Sequence, residues 1–306
     1  MIAYLVTIAI LVCVAALVGL ALNLQWGQAG LVNFGVVGFV AIGAYATALL
    51  APQIGWLPAM LVAGAASAIL SAGLALLSIR LEENYLAIVT IGFGEVVRLV
   101  ILNEGWLTNG ALGIPDIPRP FAALGRTIGG DTVFIVFALA LVAVVFVLLE
   151  AMARSPFGRV LRAIRDDATV TAALGKNVFA LRVRAFAVGG AVMGIAGALH
   201  AFYLTYIDPS QFTPIVTAYA FMAVIAGGRG SNVGLLIGAC SIMALLEGTR
   251  FLKDFVTVID GVQLSALRLG LIGAGIVALL ILRPQGLAPE PKRRAADLLP
   301  TEKGGV

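Results

Sequence analysis

The chain of 306 residues is 61% hydrophobic, 12% charged and carries a net charge of +4, with a mean hydropathy of +1.05. A soluble globule carries about 25% charged residues, so this composition excludes one and describes a polytopic protein of the lipid bilayer. It also excludes a nucleic-acid binder: the basic residues gather in loops that flank apolar runs, and no aromatic-interleaved basic surface occurs.

In chain order, apolar stretches predict spans over 2–24, 34–51, 56–79, 85–102, 131–152, 183–206, 213–227, 232–250 and 266–283, where a crossing needs roughly 20 residues. The expected fold is all-α, a polytopic transmembrane helical bundle of about nine or ten helices with one or two broken or re-entrant segments. One transmembrane domain, 1–283, would precede a charged, Pro-containing tail, 284–306, expected to be cytoplasmic and disordered. The first run has no basic lead-in and is long enough to span, so it reads as a retained helix rather than a signal peptide. Cys13 and Cys240 each sit in an apolar run and read as small buried hydrophobes, and no metal-ligand spacing occurs.

A break follows the first span. Trp26–Phe34 is polar and rich in Gly, with Asn23, Gln25, Gln28 and Asn33 clustered beside Gly27, Gly30 and Gly35. Irregular backbone at membrane depth persists only where it is buried in protein or lines a watery cavity. The amides therefore either line a solute pathway or satisfy the interrupted backbone. In the fourth span Glu95 and Arg98 stand three residues apart, where they can pair on a helix. Charges at that depth are costly, so the two are expected to face the bundle interior, as a structural ion pair or as part of a pathway or interface. The 103–130 segment, with Trp106 and three prolines after it, reads as an ordered external loop able to meet a partner.

The loop 153–184 carries a basic amphipathic helix. Ser155 can cap it, Pro156 suits its first position, and Gly175 suits the left-handed residue after its last turn. At 100° per residue Val160, Leu161, Ile164, Ala168 and Thr171 share one side, with Arg159, Arg162, Arg165, Asp166 and Thr169 opposite. Arg162 and Asp166 are spaced to pair. If this loop is cytoplasmic, alternation places Arg80, Arg154, Arg159, Arg162, Arg165, Lys176, Arg182, Arg184, Arg229, Arg283, Lys292, Arg293, Arg294 and Lys303 inside as well. That is most of the 20 Lys and Arg, and it predicts an outside N-terminus. The seventh run, 213–227, is short enough to be a half-helix and ends in the Gly227–Ser231 turn, which reads as a tight corner. Glu247 and Arg250 read as a helix-end pair, and His200, the lone histidine, as a packing residue rather than a proton relay.

Several segments together resemble a known family. They are the run 19–35 leading into Gly38–Tyr45; Asn84–Thr90 with Gly92–Leu99; Ser155–Arg159 before Arg162–Asp167; the Gly227–Ser231 turn; and Leu282–Leu287. In this order, over nearly the whole chain, they resemble the LivM-like permeases of bacterial branched-chain amino-acid ABC importers. That resemblance implies a multi-pass subunit of the bacterial inner membrane, working with a homologous second permease subunit, two cytoplasmic ATPase subunits and a periplasmic solute-binding protein. It implies ATP and Mg bound by the partners, with no cofactor and no catalytic residue in this chain. It also implies a coupling helix gripped by the ATPase through Arg159, Arg162, Ala163, Arg165, Asp166, Asp167 and Gly175. Where ABC importers generally show Glu-Ala-Ala, three residues and Gly, this chain has Thr169-Val170-Thr171 before Gly175. The pathway candidates are Asn23, Gln28, Gly30, Asn33, Gly35, Glu95 and Arg98. Gly175-Lys176 does not complete a phosphate-binding loop, since Asn177 follows and Val170 stands where the first Gly is required. The alternative reading is a stand-alone ion-coupled secondary transporter or channel, with Glu95 as its coupling group.

Overall fold

A computed structural model describes residues 2–77, 83–122 and 130–255, with scattered positions beyond, among them 285–288. The chain is helical: α1 (Ile2–Leu22), α2 (Val36–Ile54), α3 (Trp56–Leu76), α4 (Glu83–Asn103), the short α5 (Gly105–Thr108), α6 (Gly130–Arg154), α7 (Pro156–Asp166), α8 (Ala168–Ala173), α9 (Val178–Leu204), α10 (Pro214–Gly227) and α11 (Asn232–Phe255). Among the described residues, 7 helical stretches are long and apolar enough to cross a membrane. The chain is a multi-pass membrane protein. Most of the ninth predicted span, Arg80, the side chain of Arg250 and most of the tail lie outside the described residues.

Helices α2, α3 and α9 pack as one group and α10 with α11 as a pair, while α1 lies between them and also meets α6. Lipid tails are as apolar as leucine, so close backbone approach and buried hydrogen bonds must hold such helices together. Small residues provide that approach. Gly43 lies on Gly194, and a Cβ at Gly197 would collide with the Val40 carbonyl. At the same interface Ser67 donates to the Phe39 carbonyl (3.0 Å) and Ser71 to that of Phe186 (2.7 Å). Gly197→Ala is expected to cost about 1–3 kcal/mol by overpacking, seen as a lowered Tm in detergent. Gly73→Ala, whose Cβ meets nothing within 4 Å, is expected to leave Tm unchanged.

Two ends result. At one, the 54–56 corner, the loop after α4 and the stretch after α9 gather. There Ile114 pairs with Ile207 as an isolated antiparallel bridge, and Arg119 pairs with Asp131 at 3.1 Å, donates to the Tyr203 carbonyl and lies over the Phe134 and Tyr203 rings. At the other, basic end lie the 23–35 break, α7, α8 and the 227–231 turn. The helix before that turn, α10, has 14 residues; a separate 3-10 turn, Pro209–Gln211, precedes it with Phe212 and Thr213 non-helical between them, and the two together make an apolar stretch of 19 residues. Four residues of the 284–306 segment, 285–288, are described at this end. Leu287 and Ala288 donate their amides to the Ala226 and Gly227 carbonyls, both at 2.9 Å, capping the end of α10.

Candidate functional site

After Leu22 the first helix widens into a π-helical segment, Asn23–Gln28, and then leaves helical geometry until Val36. Single π turns mark functional positions because they displace carbonyls from the regular ladder. Every side chain in the cluster but one finds a partner. Asn23 donates to Asn232 Oδ1 (2.9 Å) and accepts from the Gly230 amide (2.9 Å). Gln25 donates to the Phe186 carbonyl (3.2 Å) and accepts from Asn33 Nδ2 (2.8 Å), while Asn33 Oδ1 accepts from the Gly35 amide (2.9 Å). Gln28 is buried with neither amide atom bonded. Asn23, Gln25 and Asn33 therefore serve the interrupted backbone and its neighbours, and Gln28 stands apart from that network.

Two arginines reach carbonyls of the break from outside it, that of Gly27 and that of Trp26, which also accepts from the Gly30 amide. Arg165 Nη1 donates to the Gly27 carbonyl at 2.6 Å, and its side chain is only 18% exposed. Arg229 Nη2 donates to the Trp26 carbonyl at 3.3 Å, with its guanidinium 5.0 Å from the Trp26 ring centroid. Gly30 takes a left-handed φ of 78°, and a Cβ there would stand 3.1 Å from Arg165 Cα. Gly35 packs so closely on α4 that its Cβ would strike the Thr90 carbonyl.

Arg165 was expected on the outer face of its helix, and the structure turns it inward. The buried stripe of α7 is Gly158, Leu161 and Ile164. Gly158 lies against the Ala153 backbone where no Cβ fits, which rotates the buried face toward Arg165, four residues after Leu161. The amphipathic segment is also two helices rather than one. Asp167 adopts extended backbone and caps α8, accepting from the Thr169 and Val170 amides at 2.8 and 3.0 Å. Ser155 precedes α7 without a capping bond, its hydroxyl donating to the Met152 carbonyl instead. Asp166 pairs with neighbouring Arg165 (3.2 Å) rather than with Arg162 four back, and Arg162 Nη1 donates to the Ala153 carbonyl (3.1 Å). Gly175 has the left-handed φ, 77°, that ends α8. Outward, α7 and α8 present Arg159, Ala163, Asp166 and Asp167 together with Val170 (56% exposed) and Leu174 (75%). These two apolar residues were not among the expected contacts, although apolar side chains on a polar loop are a usable signal.

On the flank of the break a cleft of about 820 Å³ opens between α4 and α10. Trp26, Phe34, Ile91, Phe221 and Met222 line it, with Thr217 and Glu95 among its few polar groups. Phe34 stacks on Phe221 at 4.6 Å between centroids. Glu95 and Arg98 do pair, through Arg98 Nε at 3.1 Å from both carboxylate oxygens. They do not face the interior of this bundle, however. Glu95 lines the open cleft and the pair stays 40% and 28% exposed. The α4 face around it is apolar and uncovered, including Ile91, Val96 and Leu99.

Glu150, an acid near the end of the long apolar α6, is a signal that the sequence carries. It accepts from Arg154 (2.8 Å) and from Asn232 (2.9 Å), which in turn accepts from Asn23. A chain of contacts thus runs from the end of α6 to the break. Glu247 accepts from Tyr4 at 2.9 Å. His200 packs 6.0 Å from the Phe212 ring, beside a smaller, mainly apolar cavity of about 170 Å³.

Residues 4–282 match the family described as "Branched-chain amino acid transport system / permease component". The chain is 32% identical over 308 residues to the "High-affinity branched-chain amino acid transport system permease protein LivM" of Escherichia coli (strain K12), covering 93% of this chain and 70% of that protein. It is 29% identical to the "Probable branched-chain amino acid transport permease protein LivM" of Methanocaldococcus jannaschii, over 90% of each. A more distant relative is the "Fructose import permease protein FrcC" of Rhizobium meliloti, 26% identical over 54% of this chain and 48% of that protein. No solved structure matches. With a family match over almost its whole length, the chain belongs to the branched-chain amino-acid transport permeases.

Proposed function

We propose that the chain is a permease subunit of a binding-protein-dependent ABC importer of the bacterial inner membrane, moving branched-chain amino acids or related small polar solutes. A homologous second permease subunit completes the pathway. Two cytoplasmic ATPase subunits bind ATP and Mg, and a periplasmic solute-binding protein delivers the solute. One observation carries this reading: α7 and α8 expose a mixed apolar and charged outer face while Arg165, on their inner side, holds the Gly27 carbonyl of the break. A partner that grips the outer face therefore acts directly on the interrupted first helix. Switching the pathway this way requires the ATPase to bind the two arrangements with different free energies.

The uncovered α4 face supports a second permease subunit, because the Glu95–Arg98 pair at the middle of a span is poorly suited to lipid. A stand-alone ion-coupled transporter would use Glu95 as its coupling acid, but Arg98 already engages both oxygens of that carboxylate. The docking test uses Leu174→Glu and Val170→Glu, which place charge on the exposed apolar patch without touching the bundle. Each is expected to lower ATPase subunits co-purifying with the permease by about tenfold, the loss of one well-buried interface contact, at unchanged membrane abundance. Full co-purification in the double variant would refute docking at α8.

A further inference from the structure

Resting on the permease reading, we infer that Glu95 and Arg98 together form a recognition station for a zwitterionic α-amino acid with an aliphatic side chain. The α-ammonium sits on Glu95, the α-carboxylate on Arg98, and the side chain lies along the apolar wall of the cleft. Three observations converge on it. Glu95 lines a cleft whose other walls are almost wholly apolar, with Phe34 stacked on Phe221 and Ile91, Met222 and Ile225 alongside. Such a site, mostly apolar with a few placed polar groups, is the common form of a small-molecule site.

The pair is also neutral as a unit. A solute of single charge entering an apolar cleft meets no net counter-charge, whereas a zwitterion can match both partners at once. Finally, the pair is not saturated. A guanidinium carries five N–H donors; Glu95 engages the one on Nε and one on Nη2, which leaves Nη1 and the second Nη2 hydrogen for a carboxylate. On the acid, Oε2 accepts from Nε alone among the described contacts and keeps a lone pair for an ammonium. Both side chains remain partly exposed, and Glu95 lines the cleft itself.

The test measures binding of tritiated leucine to the complete membrane complex, both permeases and ATPases in nanodiscs, without the soluble binding protein. Leucinamide, which lacks the carboxylate, and 4-methyl-2-oxopentanoate, which lacks the ammonium, serve as competitors. Wild-type complex is expected to bind leucine and to reject both competitors. Arg98→Gln is expected to weaken leucine at least about tenfold and to abolish discrimination against leucinamide. Glu95→Gln is expected to weaken it similarly and to abolish discrimination against the keto acid. The exchanged pair Glu95→Arg with Arg98→Glu keeps an ion pair but reverses its direction, and is expected to lose leucine as well. Retained leucine binding in the exchanged pair, wild-type affinity in both single variants, or no leucine binding by the wild-type complex would each overturn the inference. A cysteine at Ala218, on the opposite wall of the cleft, separates the two levels. Protection of that thiol by leucine, with no effect of the variants, would sink the station while leaving the cleft on the pathway. A complex that assembles without ATPases would instead sink the permease reading.

Discussion

Replacing Arg165 with alanine is expected to reduce ATP-driven uptake by about tenfold or more, while the protein reaches the membrane and its ATPase partners still bind. The 2.6 Å bond from Arg165 to the Gly27 carbonyl is the direct link between the coupling helices and the break. A hydrogen bond made by a charged group contributes about 1.5–3 kcal/mol, and each 1.4 kcal/mol corresponds to about tenfold in an equilibrium. With the bond gone, movement of α7 no longer carries the π-helical carbonyls with it. ATP hydrolysis then continues uncoupled from uptake. Arg165→Lys keeps a charged donor on a shorter, single-pronged head and is expected to recover part of the loss. The measurement is uptake per ATP hydrolysed in proteoliposomes. An unchanged ratio in the alanine variant would mean that the contact carries no coupling.

The second large effect is expected at the break itself. Gly30→Val places a β-branched side chain at a φ of 78°, where a non-glycine residue costs about 1–2 kcal/mol, and drives its Cβ to 3.1 Å from Arg165 Cα. The neighbour it meets is helix backbone, which cannot move aside as a flexible side chain would. Gly35→Leu meets the Thr90 carbonyl on α4 in the same way. Both variants are expected to lose transport by at least about tenfold with membrane abundance nearly unchanged, because α2, α3 and α9 pack far more extensively on one another than on the break. Parallel loss of abundance and uptake would reduce Gly30 and Gly35 to a folding role.

Much of this architecture was legible because bilayer spans write themselves as apolar runs. The predicted 85–102 and 232–250 fall within α4 and α11, and the break was marked by amides and glycines that no lipid-facing helix would carry. What sequence could not supply was direction. Arg165 belonged by simple periodicity to the exposed face, yet Gly158, a residue without a side chain to register in any hydropathy pattern, turns α7 by its contact with Ala153. Asp167 looked like one more charge on a long helix, whereas its extended backbone ends one helix and caps the next. Long-range partners were equally hidden: Asn23 with Asn232 and Gly230, across most of the chain, and Leu287 with Ala226 at the end of α10, are pairings that local spacing cannot encode. For Glu95 and Arg98 the i,i+3 spacing fixes the pair and not the side of the bundle it faces.

The most direct measurement is thiol reactivity at the break. In a background with Cys13 and Cys240, both free in the structure, replaced by alanine, a cysteine at Val32 would report on the edge of the cleft. Its labelling by a water-soluble maleimide is followed in the complete transporter with and without a non-hydrolysable ATP analogue. Nucleotide is expected to change the labelling rate at least severalfold in the Arg165 protein and to leave it unchanged in Arg165→Ala. A rate indifferent to nucleotide in both, or a response that survives the loss of Arg165, would contradict a mechanical connection from α7 through Gly27 to the pathway.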